Sequence, residues 1–430
     1  MAGSAHGGAD IVVIGGGAVG ASIAYESARR GASVLVLDGA AGPGAGCSYA
    51  NAGLLSPAHV EPLATPKNVA AGLRFLFSPR SPFHVHPDPR LMPWLARFVR
   101  SAGPSRVRRL TARMQGLASH SLRLHAEYVA QGLDTGFQRR GALDVHLTER
   151  GWDRARATRH TSPGAEWLEA DDARELEPSL GHFAGAVYHP EDAHVGSRSF
   201  VRSTLEAARR HGARVSWGAP VTRLVRDGAR LTGVETSEGT VGAGHVVLAA
   251  GLGSTVLGRT VGLRLPLRGA KGYVVDLDVA AGAPRIPVTF KERRVVATPY
   301  ADRLRLCGTL ELGDDTATVN PRRVRAIRDA GRLGLPRLDV RRTLETWAGL
   351  RPSTPDGVPA LGRTEHADNL VVATGHGMWG VVLAPVTGEL VARGIVEDAP
   401  VLAEPAFSPD RFALPARAAR VGQLVPIRGA

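Results

Sequence analysis

Gly15, Gly17 and Gly20 stand at G-x-G-x-x-G spacing, and an acid, Asp38, follows about twenty residues later. Those residue types at those spacings can hold a dinucleotide. The first glycine lets the chain turn tightly, the second leaves room for a pyrophosphate against the main chain, and the third lets a helix close onto a strand. A helix starting there presents unpaired N–H groups and the positive end of its dipole to the phosphates. The carboxylate accepts from an adenosine ribose hydroxyl and disfavours a 2′-phosphate, so NAD or FAD is preferred to NADP.

The elements that must position these residues come in the required order. Ile11 to Ile14 is an apolar β-branched run of the kind buried on both faces of a parallel sheet. A helical pattern runs through Ala28 to Gly31, and Ser33 to Leu37 is a second buried strand ending at Asp38. "AGHVVLAAGLGS", Ala243 to Ser254, is a further strand running into glycine. "NLVVATGHGMWGVVLAPVTGELVARGI", Asn369 to Ile395, reads as strand, glycine-rich turn and long amphipathic helix. This second strand–turn–helix unit lies far along the chain from the first, so a second part of one cofactor can sit on it. A flavin suits that arrangement, because reduced flavin is negative near N1 and the C2 carbonyl, where a helix N-terminus is stabilising. The loop "GPGAGCSYANAGLLSP" adds small residues with Ser48, Asn51 and Gly53, suited to close approach over a flat ring. The plainer readings are an ordinary β–turn–α unit whose glycines serve packing and a surface loop with turn chemistry.

Composition bounds the rest. The 430 residues are 43% hydrophobic and 22% charged, as in soluble globular proteins, and no apolar run is long enough to cross a bilayer. The net charge of +13 invites a nucleic-acid reading, but lysine occurs only at Lys67, Lys271 and Lys291 and the arginines are scattered. The densest run, Arg97 to Arg113, lacks the interleaved aromatics of a stacking platform, so nucleic acid is excluded as a partner. A peripheral contact with an anionic membrane surface fits the charge better. Two cysteines, Cys47 and Cys307, indicate no disulfide framework, and the expected address is cytoplasmic. His84 and His86 share a strand face without a partner cluster, so no metal is expected. Met1 to Ala9 is expected to be a disordered leader.

The pieces "GGGAVG" with Asp38, "SYANAGLLSP", "LRGAKGYVVDL", "GTLE", "WAGLRPSTPDGVPALG" and "TGHGMWG" run from about residue 8 to residue 398. In this order they resemble the FAD-dependent amino-acid oxidoreductases of the D-amino-acid oxidase superfamily, most closely the bacterial D-amino-acid dehydrogenases. The resemblance implies an α/β fold, with a discontinuous FAD-binding Rossmann-like domain and a second α+β substrate domain built on an antiparallel sheet. The FAD domain would comprise 8–60, 148–265 and 345–400, and the substrate domain 61–147 and 266–344. Residues 401–430 would form a C-terminal tail, disordered beyond Pro415. Texture agrees: Leu91, Leu95, Phe98, Leu117, Leu122 and Leu124 have helical spacing, and residues 266–310 alternate like antiparallel strands.

Removing a hydride from an amino-acid α-carbon to flavin N5 requires no catalytic side chain, only binding and orientation. Arg351 in "WAGLRP" is the candidate clamp for the α-carboxylate, since a guanidinium fork matches it bidentately. The resemblance places Tyr273 of "KGY" and His376 of "TGHG" beside the substrate as well; the alternatives are a tyrosine half-buried in the sheet and a histidine that organises the turn. Cofactor contacts would take in Gly15, Gly17, Ala18, Val19, Gly20, Asp38, Ser48, Asn51, Ala52, Gly53, Leu54, Val221, Ala250, Gly251, Gly375, His376, Gly377, Met378 and Gly380. Related sarcosine oxidases tether flavin through a cysteine in the segment matching Ala348 to Arg351, which has none, so FAD is expected to be non-covalent. The implied partners are an amino acid and an electron acceptor, either a quinone or respiratory-chain component or dioxygen. The implied reaction is oxidative deamination of D-amino acids, giving an imino acid and then a 2-oxo acid and ammonia. The alternative on this scaffold is an oxidase of glycine or of N-methylated or cyclic secondary amino acids.

Overall fold

The structure, a computed structural model, describes residues 8–75, 83–86, 88–158 and 164–413. The expected leader up to Gly7 and the chain beyond Pro415 lie outside the described residues. The strands that carry the site are β1 (Ala9–Ile14), β2 (Val34–Asp38), β3 (Gly239–Leu248), β4 (Arg268–Ala281), β5 (Leu304–Leu312), β6 (Asp339–Ser353) and β7 (Ala367–Thr374). The helices needed below are α1 (Ala18–Ala28), α2 (Met92–Ser101), α3 (Pro104–Ala130), α4 (Ser254–Arg259) and α5 (Ala384–Val396).

An eight-stranded sheet forms the first layer. β1 pairs in parallel with β2, from Ile11↔Val34 to Ile14↔Leu37, and with β3, from Ile11↔His245 to Ile14↔Leu248. β7 lies parallel on the far side of β3, and Arg214–Trp217 parallel beside β2. Val12, Val13 and Leu37 are fully buried, as strands covered on both faces must be. Ile23, Tyr25, Met114, Leu122 and Val386 share one apolar core, so α1, α3 and α5 cover the same side. A Cβ on Gly388 would lie 2.6 Å from Ser22 O, and its absence lets α5 approach α1 closely.

The second layer is a nine-stranded sheet in which β4 lies between β6 and β5, both antiparallel to it. Tyr273, Val275, Leu277 and Leu306 form a core on one face of this sheet with Ile327 of the helix Pro321–Gly334. Two pairings are parallel, Val288–Phe290 with Ala142–His146 and Phe83–Val85 with β5, which alternation alone does not reveal.

Three segment assignments need correction. Glu166–Glu169 and Gly185–His189 fall within 148–265, yet both are strands of the second sheet. β6 is one continuous strand of that sheet and crosses the expected boundary at residue 345. α3 falls within 61–147 but packs in the core of the first layer. Strand and helix periodicity specifies a buried face without specifying which sheet covers it, so sheet membership follows from long-range pairing. The described part of the tail is ordered: Phe407 is buried, and Arg411 grips the Asp356 carboxylate with two donors at 2.9 and 3.1 Å. Among the described residues no helix is long and apolar enough to cross a membrane.

Candidate active site

The turn after β1 explains its glycines. Gly15 has φ +108°, and a Cβ there would lie 2.5 Å from Ala249 O. A Cβ on Gly20 would overlap Gly15 O, so α1 sits as close to the turn as backbone allows. Gly17 differs, since a Cβ there would meet only Ser48 Oγ at 3.3 Å, and Gly17 lines a cavity of about 870 Å³. Ser48 Oγ accepts from Ala18 N–H at 3.1 Å, tying the loop after β2 to the start of α1. Asp38 lines the same cavity while its two oxygens accept from Gly16 N–H at 2.6 Å and Ala40 N–H at 2.8 Å. A carboxylate has room for further donors, so these bonds fix its direction without exhausting it.

The cavity also brings together Ala18, Val19, Val221, Ala250, Gly251, Gly375, His376, Gly377 and Gly380, with Gly16 and Ala249 beside them. Asn51 and Met378 instead line a smaller cavity of about 40 Å³, which shares Cys47, Ser48, Trp347, Gly349, Gly377 and Gly380 with the large one. Gly20, Ala52, Gly53 and Leu54 line neither. The last three brace the loop from below. Thr298 Oγ1 donates to Ala52 O at 2.6 Å, a Gly53 Cβ would overlap the Tyr300 hydroxyl, and Leu54 pairs with His194. Arg305, held in a bidentate pair with Asp276 at 2.7 Å for both bonds, also donates to Asn51 O at 3.1 Å.

Arg351 is the one ionisable lysine, arginine, aspartate, glutamate or histidine side chain lining the smaller cavity. On β6 it alternates with Gly349 and Trp347, and these three face the cavity with Gly272 and Val274 of β4. Gly272 and Gly349 are directly paired. A Cβ on Gly272 would overlap the Arg351 guanidinium, and a Cβ on Gly349 would overlap the Trp347 indole. The two glycines thus leave a bare step on the sheet over which both side chains lie. The one hydrogen bond Arg351 makes through its side chain among the described residues is from NH1 to Thr309 O at 3.3 Å, leaving most of its five donors free. Thr309 has φ +67°, rare for a β-branched residue, at a register shift between β4 and β5. Trp347, Gly349, Gly272 and Val274 were not foreseen, although the two-residue period around Arg351 was the signal that could have found them.

Tyr273 does not reach either cavity. It lies on the opposite face of β4, fully buried, with its hydroxyl donating to Glu311 Oε2 at 2.7 Å. Burial and the Glu311 carboxylate push its pKa well up. Neighbours on a strand face opposite ways, and Gly272 and Val274 take the site side.

His376 lines the large cavity, but its Nε2 meets Thr387 Oγ1 of α5 at 3.1 Å, which fastens the glycine turn to that helix. Burial lowers its pKa from 6.5 to about 4, and those of His125 and His194 likewise to about 4. Unfolded, each ring takes up a proton near its ordinary value of 6.5; folded, it does so only near 4. The unfolded chain therefore binds more protons in this window, and stability falls as pH drops through it, by up to ~1.4 kcal/mol per pH unit for each ring. The thermal unfolding midpoint is expected to fall steadily from pH 7 to pH 5 at saturating cofactor. A midpoint that stays level or rises would contradict the neutral assignment of these rings.

Two histidine–carboxylate clusters were not foreseen. His86 lies near Glu311 and Asp314, so the pair His84 and His86 does have an acidic neighbourhood. Those acids are already engaged by cations, Glu311 by Arg323 at 2.6 Å and Asp314 by Lys271 at 2.7 Å. His59 and His189 flank Asp144, whose Oδ2 also holds Lys291 at 2.7 Å. The carboxylates lie far in sequence from the histidines they meet, which residue spacing does not show.

A mixed sheet with a glycine cradle between its parallel strands, set against a mainly antiparallel sheet that brings Arg351 to an adjoining cavity, defines a two-layer dinucleotide-binding protein. The family described as FAD dependent oxidoreductase matches residues 10–393, and the chain belongs to it. A D-amino acid dehydrogenase of Paramagnetospirillum magneticum is 36% identical over 402 residues, covering 89% of this chain and 94% of that protein. One of Methylobacterium nodulans is 34% identical over 420 residues, covering 94% and 99%. Among solved structures, glycine oxidase from Geobacillus kaustophilus has a TM-score of 0.69 at 27% identity, covering 94% of this chain and 98% of that one. Glycine oxidase from Bacillus cereus reaches 0.72 at 24% identity, covering 91% and 97%, and shares the fold.

The residues fit FAD. Gly17 leaves its space open where a Cβ would intrude on the cavity, and Gly251, Gly375 and Gly377, with φ of +55°, +76° and +56°, bring bare backbone to the wall. The lining is mostly apolar, with Asp38 its one carboxylate.

Proposed function

We propose that this chain is an FAD-dependent D-amino acid dehydrogenase. It oxidises the Cα–N bond to an imine, which water hydrolyses to a 2-oxo acid and ammonia. The observation that carries this reading is Arg351, the lone charge on a small cavity that shares six lining residues with the cofactor cavity. FAD, when bound, supplies the two-electron acceptor for the α-hydrogen. Gly15 to Val19 would hold its pyrophosphate, Asp38 its ribose, and the Gly375–Gly380 turn its ring end. Arg351 binds the α-carboxylate through its free donors. Trp347, Val274 and Val381 give the remaining wall no competing charge, so Arg351 would be the carboxylate's one charged partner there.

The D configuration follows the names of the relatives at 36% and 34% identity. FAD is held without a covalent link, in keeping with the absence of cysteine from Ala348–Arg351. Electrons leave to a quinone or another respiratory component, met by peripheral contact between a cytoplasmic enzyme of net charge +13 and the membrane surface. The 27% identity to a glycine oxidase favours one alternative, an oxidase of glycine or of N-methylated or cyclic secondary amino acids.

A panel of D- and L-amino acids, glycine, sarcosine and proline, assayed with an artificial electron acceptor and for peroxide, separates the two. D-amino acids are expected to reduce the dye, with little peroxide formed in air. Preference for L-enantiomers overturns the proposal. Stoichiometric peroxide from glycine or sarcosine establishes the alternative.

A further inference from the structure

A second large cavity, of about 720 Å³, lies apart from the one assigned to FAD. It opens between α2, α4 and the segment Gly262–Arg268 that leads into β4, and five arginines line it: Arg90, Arg97, Arg259, Arg264 and Arg268. No aspartate or glutamate does. Arg268 meets Asp315 at 3.5 Å and donates to Arg90 O at 3.0 Å. Among the described residues, the other four make no ion pair.

This concentration is more than the chain's general wealth in arginine. The buried arginines elsewhere are matched to carboxylates, Arg305 to Asp276 and Arg323 to Glu311, while many exposed ones are unpaired, so what sets this group apart is its convergence. Here like charges converge on one concave space with an apolar floor that includes Leu267 and Phe412, both buried. Arg90, Arg259 and Arg264 are exposed and Arg97 and Arg268 half-buried, so solvent screens part of their repulsion, and a multiply charged anion gains from several of them at once. Trp94 adds a buried donor without a partner at the edge of this space, as Trp152 does elsewhere, and does not by itself mark a ligand. It lines the same cavity, it is 4% exposed, and its Nε1–H has no acceptor among the described residues. Buried indole N–H groups ordinarily find one.

We propose that this cavity binds a phosphate-bearing anion. Guanidinium forks match phosphate oxygens bidentately, and only a multiply charged group uses several at once. A volume of about 720 Å³ over an apolar floor also leaves room for a non-phosphate part. The source of the phosphate is either a soluble phosphorylated compound or the headgroup of an anionic lipid. This site stands independently of the reaction proposed above, because none of its five arginines lines the cofactor cavity or the smaller cavity beside it.

The test uses FAD-loaded full-length protein. Inorganic pyrophosphate is titrated calorimetrically, and flotation with phosphatidylglycerol vesicles forms a second arm. Saturable binding in at least one arm is expected, weakened about tenfold or more in the double variant Arg259→Glu/Arg264→Glu. The double variant Arg322→Glu/Arg325→Glu makes the same charge change on the helix Pro321–Gly334 and is expected to bind as the parent does. Pyrophosphate binding without flotation assigns a soluble ligand, whereas flotation that pyrophosphate competes away assigns a lipid headgroup. Flavin content reports whether each variant is folded, and Arg264→Gln repeats the comparison with a smaller change if the double variant loses flavin. Absence of binding in both arms overturns the proposal, as does equal weakening by the two double variants.

Discussion

Arg351→Ala is expected to lower kcat/KM for a D-amino acid by about 100-fold or more while leaving flavin content unchanged. The expectation rests on how little else holds the guanidinium. It lies over the bare Gly272 step, with one side-chain hydrogen bond of 3.3 Å to Thr309 O, so its remaining donors are available to a carboxylate. Hydrogen bonds to charged groups contribute roughly 1.5–3 kcal/mol each, and a bidentate pair loses both at once. Arg351→Lys should recover only part, because a point charge attracts the carboxylate without the fork that orients the α-hydrogen. Steady-state kinetics on flavin-loaded variants, with the amine lacking the carboxylate as a control substrate, provide the measurement. If activity falls equally on acid and amine, or does not fall on the acid, Arg351 is not the clamp.

Gly17→Val is expected to give a folded protein that does not retain FAD. The three glycines of the turn separate fold from function here. A side chain at Gly15 strikes Ala249 O, and one at Gly20 overlaps Gly15 O, so both substitutions should destabilise the sheet itself. At Gly17 the nearest neighbour to a new Cβ is Ser48 Oγ, 3.3 Å away, and the branches of valine would extend into the cavity. The backbone does not demand glycine there, since φ is −74°. Flavin absorbance per protein and circular dichroism of the apoprotein distinguish the cases. Full flavin content in Gly17→Val would mean that the pyrophosphate sits elsewhere.

What could be read from the chain was what neighbours in sequence settle. The order of strand, turn, helix, strand and acid from Ile11 to Asp38 is local, and its geometry follows from residues a few positions apart. Alternation in "KGYVV" fixes that Gly272 and Tyr273 face opposite ways, but which side meets the cofactor depends on how two sheets stack, so the strand alone does not decide between a Tyr273 beside the substrate and one buried in the sheet. The same limit applies to Glu166–Glu169 and Gly185–His189, whose partners lie in the second sheet. Arg305 and Thr298 brace the loop at Asn51 and Ala52 across some 250 residues, and nothing in their immediate sequence announces it.

The pairing of β1 with β3 has a consequence for how the enzyme is made. Val13 emerges early from the ribosome, but its parallel neighbour Val247 is about 230 residues away. At ~5–20 residues per second the first strand waits roughly 10–50 s for that neighbour, and β7 is later still. Until then β1 has β2 on one edge and an open ladder of apolar backbone on the other. The nascent N-terminal segment therefore presents an unpaired apolar strand edge throughout that interval. FAD uptake at the proposed site, whose walls run from Gly15 through Gly380, belongs after translation is nearly complete.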